Sequence, residues 1–489
     1  MKWSTFQSDI FNFVSNGDGN AIVEAVAGSG KTTTIVEAMS RIPPTHNSIF
    51  LAFNKAIATE LKSRGVNGRT FHSLGCSATM KALGSNQIAG DKTRKLAYEH
   101  FEEEDAFLYS VFLSRLVGLG KQIGIGALVE DDPLAWWDII EHHDLELDKD
   151  GADMHRAVEL ASQLLTLSNE SNVIDFDDML YLPVLMDLAL PKFAFIFVDE
   201  GQDTNAIQRE LLRKIMGRNS RLVVVGDPAQ AIYGFRGADS NSLNCIAKEF
   251  NCVRFPLSVS YRCGTKIVNH ARKWVDHIQP ADAAPEGAVI NLNYDWDVDT
   301  FAKDDLIVCR TTKPLISLAF RMLRQRIPAT VMGREIGQGL VKLIKKFNAK
   351  DLAELSEKCQ VWADKEIAKS VANMNEGKAA AISDKNASIQ ILIDDVEMEG
   401  GNVQSLINVI EDLFTPSRDS VTLATIHKAK GLEAETVYWL NSSQCPSRWA
   451  RKGWQKQQEF NLCYVATTRA RTGLFLIEEE QDPEAFPMY

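Results

Sequence analysis

Ala27-Gly28-Ser29-Gly30-Lys31-Thr32-Thr33 stands between an apolar run, Ile22 to Val26, and a stretch with Ile35, Val36 and Met39 at helical spacing. Strand, glycine-bearing turn, Lys-Thr and helix in that order make a phosphate-binding loop. Glycines let backbone N–H groups converge on an anion, and the helix N-terminus adds its positive end. Lys31 would reach the outer phosphates, and the Thr32 hydroxyl would face Mg²⁺. Ala25 occupies the place of the first glycine in the general pattern.

Such a loop needs carboxylates, and FAFIFVDE supplies two. Phe193 to Val198 is a fully apolar strand that delivers Asp199 and Glu200 to its carboxyl end. One acid can hold the cation and the other can activate water. Two adjacent acids on a buried strand are otherwise costly. RLVVVGDPAQAIYGFRGA repeats the layout, with Gly226, Asp227 and Gln230 at the exit of an apolar strand. Gln230 is placed to sense a γ-phosphate. Tyr233, Phe235 and Arg236 put aromatics beside a cation, the composition of a base-stacking platform.

The elements that would position these groups follow the chain. Gln7 lies on an amphipathic stretch before the loop, where its amide can read adenine because it both donates and accepts. Ile49 to Phe53 reads as a second buried strand with Asn54 at its end, and Val66 as the approach to a third, ahead of Thr70 and His72. Ligands bind at such strand ends in open α/β sheets. Residues 76 to about 170 turn helical, and DFDDM at 175–179 suits helix capping. After Phe255-Pro256 a new unit opens, with Tyr261 and Arg262 ahead of a helix and a strand ending at Arg310. Residues 336–415 are again helical. Strands at 421–425 and 436–440 flank His427, Lys430 and Glu433, and a helix carrying Arg469 and Arg471 precedes a last strand.

At 489 residues the chain exceeds one core. Hydrophobic content of 45% with 24% charged residues is that of a globular protein. No apolar run is long enough to cross a bilayer, no signal region opens the chain, and the eight cysteines form no C-x-x-C pair. A cytoplasmic protein with reduced thiols and no membrane partner is expected. The net charge of −12 argues against a surface basic overall, while leaving room for a basic groove.

Taken by type and order, these stretches resemble the superfamily 1 DNA helicases of the UvrD/Rep/PcrA group. AFNKAIA, TFHSL, VDEGQD, GDPAQAIYGFRGA, SYRCG, TIHKAKGLE and YVATTRA come in the group's sequence, over nearly the whole chain except the two helical stretches. AVAGSGKTTT, LAFNKAIATEL and IYGFRGA are most similar to the F-box DNA helicases, although no F-box is present; a compact bacterial or phage homologue is expected.

The resemblance implies an α/β protein with two RecA-like parallel-sheet motor domains, each with a helical insertion, and ATP between them. The first core would be 1–75 and 171–256 with its insertion at 76–170. The second would be 257–335 and 416–489 with a small insertion at 336–415. Gln7 would read adenine, Tyr261 would stack on it and Glu433 would hold the ribose. Lys31 and Thr32 would bind phosphate and Mg²⁺, with Asp199 completing the metal shell and Glu200 as the base. Gln230 would couple γ-phosphate to DNA, while Arg262 and Arg469 approach that phosphate from the second core. Phe53, Asn54, Thr70, His72, Tyr233, Phe235, Arg236, Arg310, His427 and Lys430 would line a single-stranded DNA track. The implied activity is ATP-driven 3′-to-5′ movement on single strands with separation of duplex. The implied partners are single-stranded DNA, single/double-strand junctions, and replication, repair or recombination proteins. A translocase that strips proteins from single strands shares the same motifs. An ATP-gated binding module would not need Glu200, Arg262 and Arg469, and a fused nuclease would need carboxylates after Arg471. Three departures from the group stand out: Gly201 for Ala, expected to be harmless, Phe235 for Trp, and Thr33 for Arg, which removes one nucleotide contact.

Overall fold

The structure, a computed structural model, describes residues 3–43, 45–147, 149, 151–234, 241–372, 376–415 and 419–479. Contacts divide the chain into two compact units, Met1–Ala25 with Gly30–Ser258, and Val26–Ser29 with Val259–Tyr489.

In the first unit β1 (Asn20–Ala25), β2 (Ser48–Ala52), β3 (Gly68–Thr70), β4 (Phe193–Val198), β5 (Met216–Gly226) and β6 (Cys252–Leu257) form one parallel sheet in the order β3-β2-β4-β5-β1-β6. The strands read as near-continuous apolar runs because both faces are covered. Val23, Phe197, Val223 and Val225 pack with Ile10, Phe11 and Ile35 from the helices Thr5–Asn16 and Lys31–Ser40. Ile49, Leu51, Ile196, Val198 and Val224 pack on the other face, in a core that continues into the helices between β3 and β4 through Leu116, Trp136 and Leu164. The register levels the strand ends: Val23 pairs with Val225 and Val198 with Val224. The turns after β1, β4 and β5 therefore leave one edge together. The third strand begins at Gly68, beyond Val66, whose N–H closes a turn onto Leu61 O at 3.0 Å.

The acidic segment before helix Asp178–Leu185 corrects the capping expectation. Asp175 does accept the Asp178 N–H at 2.8 Å, but the carboxylates mainly serve a buried ion network. Lys121 Nζ lies 2.7 Å from Asp175 Oδ2 and 2.6 Å from Asp178 Oδ1, and Lys92 Nζ lies 2.6 Å from Asp178 Oδ2. Ser168 adds its carbonyl to Lys92 at 2.7 Å and its hydroxyl to Lys121 at 2.9 Å. Burial alone would lower Lys121, yet Asp178 and Asp175 hold it above its ordinary value; burial prevails at Lys92 and lowers it. The network ties three inserted helices to the segment leading back to the sheet. Lys121→Met would leave two buried carboxylates with one cation, which typically costs about 3–5 kcal/mol. We expect the melting temperature of the full chain to fall by roughly 6 °C or more while nucleotide binding persists below the transition. An unchanged melting temperature would show the network to be dispensable.

In the second unit β7 (Val259–Ser260) pairs with β8 (Gln279–Pro280). A second six-stranded parallel sheet contains β9 (Ala288–Asn293), β10 (Leu306–Cys309), β11 (Ala329–Val331), β12 (Val421–Thr425), β13 (Ala434–Leu440) and β14 (Ala470–Ile477), in the order β11-β12-β10-β13-β14-β9. Among the described residues, four helices, Arg334–Phe347, Leu352–Ala372, Glu376–Met398 and Val403–Leu413, lie between β11 and β12. The last helix, Gly453–Thr467, ends before both arginines assigned to it. Arg469 lies in the turn that follows, and Arg471 on β14, whose TGLFLI run favours a strand. The α/β class with two parallel sheets holds. Among the described residues, no helix is long and apolar enough to cross a membrane.

Candidate nucleotide site and nucleic-acid surface

The loop after β1 is shaped by backbone. Gly28 and Gly30 adopt φ of 71° and 77°, left-handed conformations that a side chain disfavours. Ala27 and Ser29 are buried, and Thr33 is exposed on the helix begun by Lys31. Lys31 Nζ lies 3.5 Å from Glu200 Oε1. The Thr32 hydroxyl donates to Asp199 Oδ2 at 3.3 Å. The structure thus brings together a lysine, a hydroxyl and two carboxylates from the ends of β1 and β4.

Asp199 is buried, and its carboxyl is pushed up to about 6, first by loss of water and then by the negative charge of Glu200, against the pull of Lys31. Glu200 has φ of 53°, an uncommon conformation for a side-chain-bearing residue, and such local strain gathers at functional sites. Its N–H donates to Asp199 Oδ1 at 2.9 Å. Gly201 follows, and a Cβ there would meet Val224 Cγ1 at 2.2 Å. Gly201 is therefore matched to Val224 in this chain and is not interchangeable with alanine.

Two residues that the sequence left without a role connect this site. Gln202 Nε2 donates to Glu200 Oε2, while its oxygen accepts the Asp227 N–H at 3.0 Å. Asp227 is buried, with its carboxyl raised chiefly by burial, and it accepts Gln230 Nε2 at 2.7 Å and the Ala229 N–H at 3.1 Å. The signal was present in the pattern: polar residues directly after two apolar strands have no reason to be there except to meet one another or a ligand. Gln7 is not solvated. It closes a capping box with Ser4, and its Nε2 donates to Thr34 Oγ1 at 3.0 Å from a buried position.

Among the described residues no group of three or more His, Cys, Asp and Glu converges as a cation cage. Mg²⁺ does not require one, since it keeps waters and takes one or two carboxylates plus substrate phosphates. The hydroxyl of Thr32 and the poorly solvated carboxylate of Asp199 are hard oxygen donors that fit that requirement.

The described residues assigned to a DNA track in this unit share the carboxyl edge of the sheet. Phe53 is 46% exposed, and its ring stacks on Tyr233 with centroids 6.0 Å apart and planes at 9°. Asn54 caps helix Lys55–Ser63, and Thr70 caps helix Phe71–Leu83. His72 has its pKa lowered by burial, so it is neutral at physiological pH. Phe235 and Arg236 lie outside the described residues.

The second unit holds its own set of charges. Tyr261 is exposed. The Arg262 Nη1 donates to Thr468 O at 3.2 Å, and its Nε lies 2.5 Å from Glu433 Oε2. Arg469 is buried; it donates to the carbonyls of Val465 at 3.0 Å and Leu432 at 3.1 Å, and to the Thr468 hydroxyl at 3.3 Å. Arg310 grips Glu459 with Nε 3.1 Å from both carboxylate oxygens and Nη2 at 2.7 Å from Oε1. Glu459 also accepts the Ser447 N–H at 2.8 Å. Paired this way, Arg310 is a neutralised strut more than an open phosphate ligand. Glu459 was not legible in the sequence, because nothing local links a helix residue to a strand end 149 positions away. His427 and Lys430 lie half-buried around the short helix Ile426–Ala429 at the exit of β12.

Comparison with known proteins agrees with this arrangement. Residues 6–251 match the family model described as the UvrD/REP helicase N-terminal domain, and residues 340–481 that of the UvrD-like helicase C-terminal domain. A Mycoplasma pneumoniae protein named "Probable DNA helicase II homolog" is 27% identical over 307 residues, 56% of this chain and 42% of the relative. The ATP-dependent DNA helicase Rep of Escherichia coli is 28% identical over 307 residues, 55% of this chain and 43% of the relative. The ATP-dependent DNA helicase srs2 of Schizosaccharomyces pombe is 35% identical over 170 residues, 33% of this chain and 19% of the relative. The matched region spans less than half the length of each of these curated relatives.

Proposed function

The chain belongs to the UvrD/REP helicase family, and from that membership we propose that it is an ATP-dependent DNA helicase that moves 3′-to-5′ on single-stranded DNA and separates duplex. The observation that carries the reading is the convergence of Lys31, Thr32, Asp199 and Glu200 at one sheet edge. A lysine and glycine-bearing loop bind phosphate, a hydroxyl and a carboxylate bind a hard cation, and a second carboxylate is left to take a proton from water. Mg²⁺, when bound, would be held by Thr32 and Asp199 and would neutralise phosphate charge. Gln202 and Asp227 orient the polar groups behind Glu200, and Gln230 is joined to them through Asp227. Gln7, Tyr261, Glu433, Arg262 and Arg469 are assigned to the adenosine and γ-phosphate by the family resemblance. The stacked Phe53 and Tyr233 support a base-contacting surface, since base–aromatic stacking is indifferent to sequence.

The test is ATP turnover with and without single-stranded DNA, followed by strand separation on duplexes bearing 3′ or 5′ tails. Strong stimulation by single strands and unwinding that requires a 3′ tail are expected. Stimulation without unwinding of bare duplex would replace the helicase by a translocase that strips bound proteins. No stimulation would overturn the motor reading.

The raised Asp199 carboxyl gives a pH prediction. A carboxyl at about 6 in the fold, against its ordinary 3.8, binds protons more tightly folded than unfolded. Its contribution to stability therefore falls as pH rises through that window. A cation must displace this proton. The Mg²⁺ concentration that half-saturates thermal stabilisation by a non-hydrolysable ATP analogue should rise roughly tenfold from pH 7.5 to pH 5. Asp199→Asn, measured alongside, isolates this from titration of the nucleotide. The same pH dependence in both proteins would remove Asp199 from the metal site.

A further inference from the structure

Arg471 belongs to none of the motifs assigned above, yet it is tied to two of their residues. Its carbonyl accepts the Gly264 N–H at 2.8 Å, fixing the turn that carries Arg262. Its guanidinium Nη2 pairs with Glu433 Oε1, and Nη1 reaches Glu435 Oε1 at 3.4 Å. Arg262 takes the other oxygen of the same carboxylate, with Nε 2.5 Å from Glu433 Oε2. Burial would raise the Glu433 carboxyl, but Arg471 and Arg262 together hold it below its ordinary value. One carboxylate thus stands between two guanidinium groups, each on its own oxygen.

This arrangement bears on how Arg262 can act. Its Nε is held on Glu433, so the Arg262 charge is fully available to a γ-phosphate only when that pairing loosens. If Arg262 were the sole partner, its departure would leave a partly buried carboxylate without a counter-charge, which is unfavourable. We propose that Arg471 is a positioning residue: it holds the Glu433 carboxylate so that Arg262 can exchange from Glu433 to a phosphate oxygen without leaving that carboxylate unpaired. The proposal rests on the reading of Arg262 as the γ-phosphate arginine. Glu435, the remaining acid at Arg471, keeps the guanidinium directed along the start of β13. Without Arg471 the whole charge of Glu433 falls on Arg262 and holds it back. Without the charge of Glu433 there is nothing for Arg471 to offset.

The experiment is a double-mutant cycle in the full chain, read as kcat and KM for ATP with saturating single-stranded DNA. Arg471→Ala should lower kcat about fivefold, the scale of one well-placed exposed ion pair, with KM changed less than kcat. Added to Glu433→Gln, it should cause no further loss. Arg471→Lys should recover most of the rate, because one cation near Glu433 is enough. The main-chain bond to Gly264 survives every variant, and melting temperatures check that the fold does too. If Arg471→Ala alone does not fold, Arg471→Gln, which keeps a long polar stem and removes the charge, carries the cycle in both Glu433 backgrounds. Losses that add independently of Glu433, or an unchanged kcat in Arg471→Ala, would overturn the proposal. Arg262→Ala is measured in parallel. Wild-type turnover there would overturn the underlying reading and the proposal with it, whereas additivity beside an inactive Arg262→Ala would overturn the proposal alone.

Discussion

Glu200→Gln is expected to reduce ATP turnover by about 10²-fold or more, or about 2.7 kcal/mol of transition-state stabilisation, while nucleotide and DNA still bind. The side chain keeps its size, so Gly201 keeps its fit beneath Val224 and Gln202 keeps a neighbour to which it can donate. What is lost is a negative group able to accept a proton from water. The substitution has a second signature. Glu200 is the largest charge effect raising Asp199, so its neutralisation should let the Asp199 carboxyl ionise more easily. The Mg²⁺ requirement should therefore stay the same or fall as turnover collapses. Single-turnover hydrolysis with a parallel Mg²⁺ titration measures both. Normal hydrolysis would remove Glu200 as the base. A Mg²⁺ requirement that rises instead would mean that Glu200 holds the cation and that the two acids exchange roles.

Arg262→Ala is expected to slow hydrolysis by roughly 10³-fold, the scale of an arginine that neutralises transferred phosphoryl charge, with far less effect on nucleotide affinity. Arg262→Lys should recover little, because one ammonium cannot reproduce a planar fork. Arg262 is a cleaner test than Arg469. Arg469 is buried and supplies donors to the carbonyls of Val465 and Leu432. Its removal would leave buried acceptors without those donors and lower stability as well as rate. Arg262 faces the half-exposed Glu433, which retains Arg471 when Arg262 is gone. Presteady-state kinetics separate the outcomes: a slow chemical step with near-normal binding supports the role, and equal losses in both steps would make Arg262 an ordinary binding residue.

The α/β architecture was legible in the chain itself. The apolar runs at 22–26, 49–53, 193–198, 222–225, 421–425 and 436–440 each have strand length and sit beside helical periodicity; each overlaps a strand, within two residues at either end except that β5 starts six residues before its run. Local chain geometry sets such periods, so sequence suffices for them. The phosphate loop was legible for the same reason, since Gly28 and Gly30 announce backbone conformations and the adjoining Lys31 and Thr32 announce a ligand. The groups at strand ends could be named as a set because a parallel sheet sends them all to one edge.

What each group does once there was decided only by the tertiary structure. Asp175 and Asp178 read as helix-capping residues until the fold brought Lys92 and Lys121 to them across 54 to 86 positions. Arg310 read only as a basic residue at a strand end until Glu459 paired with it. Gln7 read only as an amide close to the loop until its helix packed beside Lys31–Ser40 and met Thr34. Arg469 and Arg471 read as one helical pair until the chain turned after Thr467, burying the first and placing the second against Glu433. The physical reason is common to all four. A strand or helix is specified by neighbours along the chain, whereas the partner of a charge is whichever group the packed elements leave within a few ångströms. In a low-dielectric interior that choice of partner decides whether the same side chain serves as ligand, strut or counter-ion.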